Sequence, residues 1–225
     1  MFGRIARRYD FMNSLITFGQ DAAWRARIAD LLGNLPHGAQ VLDVGSGTGR
    51  LALAVQERHS DVHVTAVDFS VPMLEAGPRS LHKVAADALR LPFGDGQFNA
   101  VVSAFVVRNL ADVSLGIAEQ IRVLRAGGTL AILETTPGPR GLLRWLYRLY
   151  FRRVVPLLGG LFAGDATAYT YLPESTLAFV EPARLAANMA ADGLEGVRTL
   201  KLMLGTVAVT IGRKPVIFPD GGVRE

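Results

Sequence analysis

The stretch Val41 to Arg50, VLDVGSGTGR, constrains the fold of this chain more than any other. An apolar run feeds three alternating glycines, Gly45, Gly47 and Gly49, and LALAVQERH then begins a helix. Glycine lets the backbone turn sharply and approach a ligand without a Cβ clash. A helix N-terminus directs its unpaired amides at the same place. The theme repeats over residues 40–135, where the β-rich runs QVLDV, HVTAV, HKVAA, NAVVSA and TLAIL alternate with helical stretches. Such alternation demands crossover connections and predicts an α/β fold with a parallel sheet. Between the last two runs, Asp112 to Arg125 reads as a helix with Ile117, Ile121 and Leu124 on one face. Gly127-Gly128 reads as its stop. Residues 182–193 read as a further helix. The runs VRTLKLML and VAVTIGRK, separated by little more than Gly205, predict an antiparallel C-terminal hairpin.

At 225 residues the chain fits a single domain with a full core. That domain is expected over 1–213, with residues 1–35 as an N-terminal helical lid and 136–181 as a helical insertion. Residues 214–225 are expected to form a loose tail. Cysteine is absent, which excludes thiol nucleophiles, thiolate metal sites and disulfides. Lys+Arg number 24 against 20 Asp+Glu, with no long run of one sign, so nothing supports a nucleic-acid arm. The start MFGRIARRYD carries charges where a signal peptide needs an apolar core, and this predicts a cytoplasmic protein. His37, His59 and His82 read as loop or helix-end residues and His63 as a strand residue; without ligand spacing, no metal site is expected. A mean hydropathy of +0.27 suggests a greasy ligand or a membrane-facing surface, although a large core alone would give it.

A dinucleotide fingerprint would place its third glycine where Arg50 stands. The pattern D-x-G-x-G-x-G, from Asp43 through Gly49, instead resembles the S-adenosylmethionine (SAM) loop of class I methyltransferases. About twenty residues on, Asp68 ends the second strand, where an acid can accept from both ribose hydroxyls. Phe69 follows it. At the end of the third strand, Asp87 and Ala88 fall beside the expected adenine position, and a carboxylate at Asp87 can accept from the adenine amino group.

Three longer stretches are more specific. YDFMNSLITFGQDAAWR (from Tyr9), RNLADVSLGIAEQIRVLRAGGTLAILE (from Arg108) and LYRLYFRRVVPLLGGLFAGDATAYTYLPESTLAF (from Leu146) resemble segments of the ubiquinone/menaquinone biosynthesis C-methyltransferase family. The resemblance spans roughly residues 2 to 213. It implies a Rossmann-like, seven-stranded, mostly parallel class I fold that uses SAM to methylate a demethylmenaquinol. The alternatives left open are a benzoquinol and a soluble small metabolite. It also carries cofactor contacts onto Thr48, Asp68, Asp87 and Ala88. Where the family often has Ser-Phe-Gly before Arg-Asn, this chain has Ala104, Phe105 and Val106, which leaves Ser103 as the nearby hydroxyl.

Methylating a ring carbon requires an electron-rich quinol, and ionising a ring hydroxyl supplies it. A phenol-like pKa near 10 leaves about one molecule in a thousand ionised at pH 7, a deficit of about 4 kcal/mol. A well-aimed cation in a dry pocket can contribute most of that. Arg108, at the carboxyl end of the fourth strand, is the candidate, because ligands of open parallel sheets bind at that edge. The family resemblance implies the same residue, acting with water. Arginine is no base, so the proton must go to water or to a neighbour. Asn109 is read as holding that water or the second hydroxyl, and Tyr9, Asp10 and Asn13 as lid residues, with Asp10 either a candidate acceptor or an acid at the start of a helix. Asp165 and Tyr169 either line the quinol pocket or join two helices. A cap on the helix at Asp112 is the other reading of Arg108 and Asn109.

The apolar run from Leu142 to Phe162 holds Arg144, Arg148, Arg152 and Arg153. Burying four arginines in a bilayer would cost on the order of 10 kcal/mol, so the run does not span one. A basic stripe at Arg144, Arg148 and Arg152, with Trp145, Leu146, Leu149 and Tyr150 on other faces, suits a lipid-tail groove or transient contact with the inner face of the cell membrane. A core helix that snorkels its arginines fits equally. Partners are therefore a polyprenyl quinol and a membrane surface, with a homodimer left open.

Overall fold

The computed structural model describes residues 10–138 and 181–216 and, between them, 141, 145 and 149–154. Tyr9, Asp165, Tyr169, Arg144 and Arg148 lie outside the described residues. Seven strands form one sheet: β1 (Gln40–Val44), β2 (His63–Asp68), β3 (His82–Ala85), β4 (Phe98–Ala104), β5 (Leu124–Thr135), β6 (Glu195–Leu202) and β7 (Val207–Arg213). Their order is β3-β2-β1-β4-β5-β7-β6. The first five strands run parallel to their neighbours, and β7 lies antiparallel to both β5 and β6. The chain turns from one side of β1 to the other between β3 and β4. That switch opens a crevice at the carboxyl ends of β1 and β4, where ligands of such sheets sit.

Helices cover both faces because the strands are apolar on both. On β5, Ala131 and Leu133 pack into one core and Leu130 and Ile132 into the other. The first core is closed by Trp24 and Ile28 of α2 (Gln20–Leu31) and by Leu51 and Val55 of α3 (Arg50–Arg58). The second takes Ile117 and Ile121 of α5 (Val113–Val123) and Leu185 and Met189 of α6 (Pro182–Ala191). Between them in sequence, α4 is a short helix at Val71–Ala76. Each large side chain so buried contributes roughly 2 kcal/mol.

Residues 10–16 form α1, seated by Met12, which is fully buried. The backbone turns between α1 and α2 at Phe18 (φ 53°) and Gly19 (φ 75°). Asp112 caps α5 itself, its carboxylate accepting from Leu115 N–H at 2.9 Å.

Three sequence expectations need correction. The helix after Asp112 ends at Val123, and Gly127-Gly128 is not its stop. Leu124 already pairs with Phe98 at the start of β5, so strand pairing claims residues that helical spacing assigned to α5. His82 is the first residue of β3, with its ring nitrogen 3.2 Å from the Thr65 hydroxyl. The hairpin turn is wider than a glycine pivot: Met203 (φ 44°), Leu204 (φ 54°) and Gly205 (φ 82°) are all left-handed.

Candidate active site

The glycine loop is a packed turn. Gly45, Gly47 and Gly49 have φ of 66°, 58° and 83°, a region that side chains rarely adopt. A Cβ on Gly45 would sit 2.2 Å from Val106 Cγ2, and one on Gly49 would sit 2.3 Å from Leu81 Cδ1. Glycine at Gly45 thus lets the loop after β4 press directly on the loop after β1. Asp68 spans the loop: Gly47 N–H donates to one carboxylate oxygen at 2.7 Å and Ser70 N–H to the other at 2.8 Å. Each oxygen keeps a lone pair, and the residue is only half-buried. Beside it, Phe69 is 81% exposed, a bare aromatic face at the crevice.

Asp43 lies beneath this loop. It is fully buried; one carboxylate oxygen accepts from Ala52 N–H at 3.0 Å and the other has no partner among the described residues. Burial pushes its carboxyl up to about 7, opposed by the Ala52 hydrogen bond and the Arg25 charge, and Asp68 adds a smaller push upward. Thr48 is buried, and its hydroxyl donates to Asp10 at 2.8 Å. Asp10 thereby ties α1 to the loop. Arg50 extends the tie, donating to Ser14 Oγ at 3.0 Å and to Asp21 at 2.6 Å. Asp21 is 1% exposed and also holds Arg25, so one buried carboxylate joins α2 to α3. Just beyond β3, Asp87 accepts from Leu89 N–H at 2.9 Å, and Ala88 is buried beside it. Ser103, on β4 opposite Val44, buries a hydroxyl that meets no partner among the described residues.

Across the crevice, Arg108 sits in a short turn, Val107–Asn109, after β4. Its side chain is 6% exposed and pairs at 2.5 Å with Glu134, whose side chain is 3% exposed at the end of β5. Glu134 also accepts Arg108 N–H at 3.2 Å and Thr135 N–H at 3.0 Å. The guanidinium stacks 5.4 Å from the centre of the Phe105 ring, which meets Trp24 edge-on. Its Nε–H is buried without an acceptor among the described residues. Asn109 is exposed, and its amide donates to the Phe105 carbonyl at 3.2 Å.

The model of the ubiE/COQ5 methyltransferase family matches residues 1–214. The chain belongs to this family. It is 46% identical over 223 residues to the demethylmenaquinone methyltransferase of Thermus thermophilus, covering 96% of this chain and 100% of that one. It is 44% identical to the protein of the same name from Deinococcus radiodurans, covering 95% of this chain and 91% of the relative. The fold matches a solved SAM-dependent methyltransferase from Thermotoga maritima with a TM-score of 0.66 at 19% identity, over 95% of this chain and all of that one. The class I architecture and the SAM loop of a ubiE/COQ5 methyltransferase are therefore in place. The chain's own geometry fits that cofactor: left-handed glycines, a half-buried Asp68 with free lone pairs, and an uncovered Phe69 at one edge.

Sequence reasoning brought the loop, Asp68, Phe69, Asp87, Ala88 and Ser103 to the crevice edge, and the structure gathers them around the ends of β1 to β4. Asp43 and Thr48 lie deeper than surface contacts would, serving the loop and α1. Glu134 was missed. Its signal was a lone acid closing the apolar run LAIL, since a buried charge needs a partner. Among the described residues no group of His, Asp and Glu could hold a metal ion.

Proposed function

We propose that this ubiE/COQ5 family member methylates a ring carbon of a demethylmenaquinol, with SAM as donor, in menaquinone biosynthesis. The substrate rests on one observation: the match to relatives named demethylmenaquinone methyltransferase runs over nearly the whole of both chains. When bound, the sulfonium supplies an electrophilic methyl. Asp68 takes the ribose hydroxyls, Asp87 and Ala88 the adenine edge, and Phe69 covers the exposed side. Val106 against Gly45 sets the loop after β4 directly on the donor loop, which brings the acceptor side of the crevice close to the donor side. Such positioning supplies much of the acceleration.

Arg108 presents guanidinium donors to the quinol oxygen as ionisation makes it a phenolate. In a site this buried, donors of this kind are worth far more than in water. Because Glu134 is its partner, Arg108 acts as half of a neutral pair, which amends the lone cation expected from sequence. The quinol proton passes to water at the crevice mouth, where the exposed Asn109 stands. Asp10, already accepting from Thr48, holds α1 as a cover over the donor loop.

A peripheral membrane contact fits a lipid-tailed substrate. Phe18 (72% exposed), Trp145 (62%) and Leu204 (79%) expose large apolar side chains. The Phe18 ring lies 6.0 Å from Tyr150, whose hydroxyl donates to Ile16 at 2.8 Å, so part of the insertion meets the α1–α2 turn. No helix among the described residues is long and apolar enough to cross a membrane. The deciding experiment incubates the purified chain with labelled SAM and reduced demethylnaphthoquinol, demethylbenzoquinol or neither. Label in the naphthoquinol ring alone supports this reading; label in the benzoquinol alone refutes it.

A further inference from the structure

Arg108 raises an electrostatic difficulty that Glu134 resolves. SAM carries a fixed positive sulfonium, and a methyl acceptor must approach it closely. A guanidinium in the same enclosed crevice repels that sulfonium, and the repulsion grows as water is excluded. Arg108 is so placed: its turn continues from Val106, the residue pressed on Gly45, and its side chain is nearly sealed from solvent.

Glu134 is built to cancel this charge. It comes from a different strand, 26 residues away, and receives three donors: the guanidinium, the Arg108 backbone and Thr135 N–H. With its oxygens so engaged it is poorly placed to take a proton from the quinol. It fixes Arg108 by side chain and backbone at once, which determines where the remaining guanidinium donors point. The buried Nε–H, with no acceptor among the described residues, is a donor left over for a ligand.

We propose that Glu134 is a positioning residue that sets the charge of the acceptor site. It holds Arg108 as a neutral pair, so the crevice admits the sulfonium cofactor while still offering N–H donors to the quinol oxygen. The idea rests on the reading of Arg108 as the acceptor-side residue. It differs from a purely structural salt bridge in one respect: it ties the carboxylate to the charge of the cofactor.

S-Adenosylhomocysteine provides the test, since it has SAM's shape but a neutral thioether. Affinities of both for the full chain are measured by calorimetry, without quinol, for wild type, Glu134→Gln and the double variant Arg108→Gln/Glu134→Gln. In Glu134→Gln, SAM affinity is expected to fall about tenfold and S-adenosylhomocysteine affinity less than twofold. The double variant, having lost both charges, returns the ratio of the two affinities to the wild-type value while quinol turnover stays low. If both ligands weaken equally in Glu134→Gln, or neither does, the proposal is overturned. Should Glu134→Gln not fold, the comparison passes to Glu134→Asp and the double variant, both of which must then keep the wild-type ratio; a changed ratio in either one refutes the idea. As no quinol is present, a wrong substrate assignment leaves these ratios untouched and shows only in the turnover assay.

Discussion

Around Gly45 the site keeps its shape through backbone, while around Arg108 it keeps it through charge. The donor loop is one continuous stretch with three left-handed glycines, Gly45 fitted against Val106 and Gly49 against Leu81. The acceptor turn depends on Arg108 and Glu134, brought together from the turn after β4 and the end of β5. The cover resembles the acceptor turn, since Asp21 clamps Arg25 and Arg50 from two helices. Shape set by backbone belongs to a motif and tolerates little substitution. Shape set by ion pairs belongs to the folded whole and fails when one partner goes.

The sharpest separation of the two regions is Arg108→Ala. Quinol methylation should fall about 10²–10³-fold, equivalent to roughly 3–4 kcal/mol of barrier. SAM affinity, read by calorimetry, should not fall, because the donor loop is intact and a carboxylate remains. A joint loss of turnover and SAM binding would erase the distinction. Next in size is Asp21→Ala, which strands two arginines. Removing one member of a buried pair costs several kcal/mol; with Arg50 partly exposed, about 3 kcal/mol is expected from urea unfolding.

Gly45→Ala probes the backbone side. Overpacking against Val106 and a left-handed alanine together should destabilise by about 2–3 kcal/mol. SAM binding should weaken with it. Gly45→Ala/Val106→Ala should regain part of both, and a double variant no better than the single would show that Val106 is not the obstacle.

Asp43 gives the smallest effect, and its sign is fixed. Burial raises its carboxyl from 3.8 to about 7 in the folded chain, so the folded state binds the extra proton between those values. Its contribution to stability is whole below about pH 4 and is lost as the pH rises to about 7. Asp43→Asn should flatten that slope and add about 1–2 kcal/mol at pH 8, measured by urea unfolding across pH. A slope that persists in the variant would assign it to another group.

The same contrast explains what could be read from the sequence. Strand alternation, the glycine loop and Asp68 are local patterns, with period and spacing visible in one dimension. Glu134 escaped because its meaning lies in Arg108, far along the chain, and a single acid at a strand end carries no spacing. The end of α5 was misjudged because Leu124 suits a helical face as well as it suits its pairing with Phe98; the tertiary partner decided. Met203 and Leu204 gave no warning at all, since nothing in a non-glycine pair announces a left-handed backbone.

The placement of β7 has a consequence for biosynthesis. It follows β6 in the chain yet lies between β5 and β6, so neither neighbour has its partner until β7 leaves the ribosome. While translation proceeds through α6 and β6, the long edge of β5 stands unpaired, and an open edge is a template for another chain. The nascent protein therefore completes its sheet in one late step, and a chaperone that shields β5 during that interval would guard the moment at which it is most prone to aggregate.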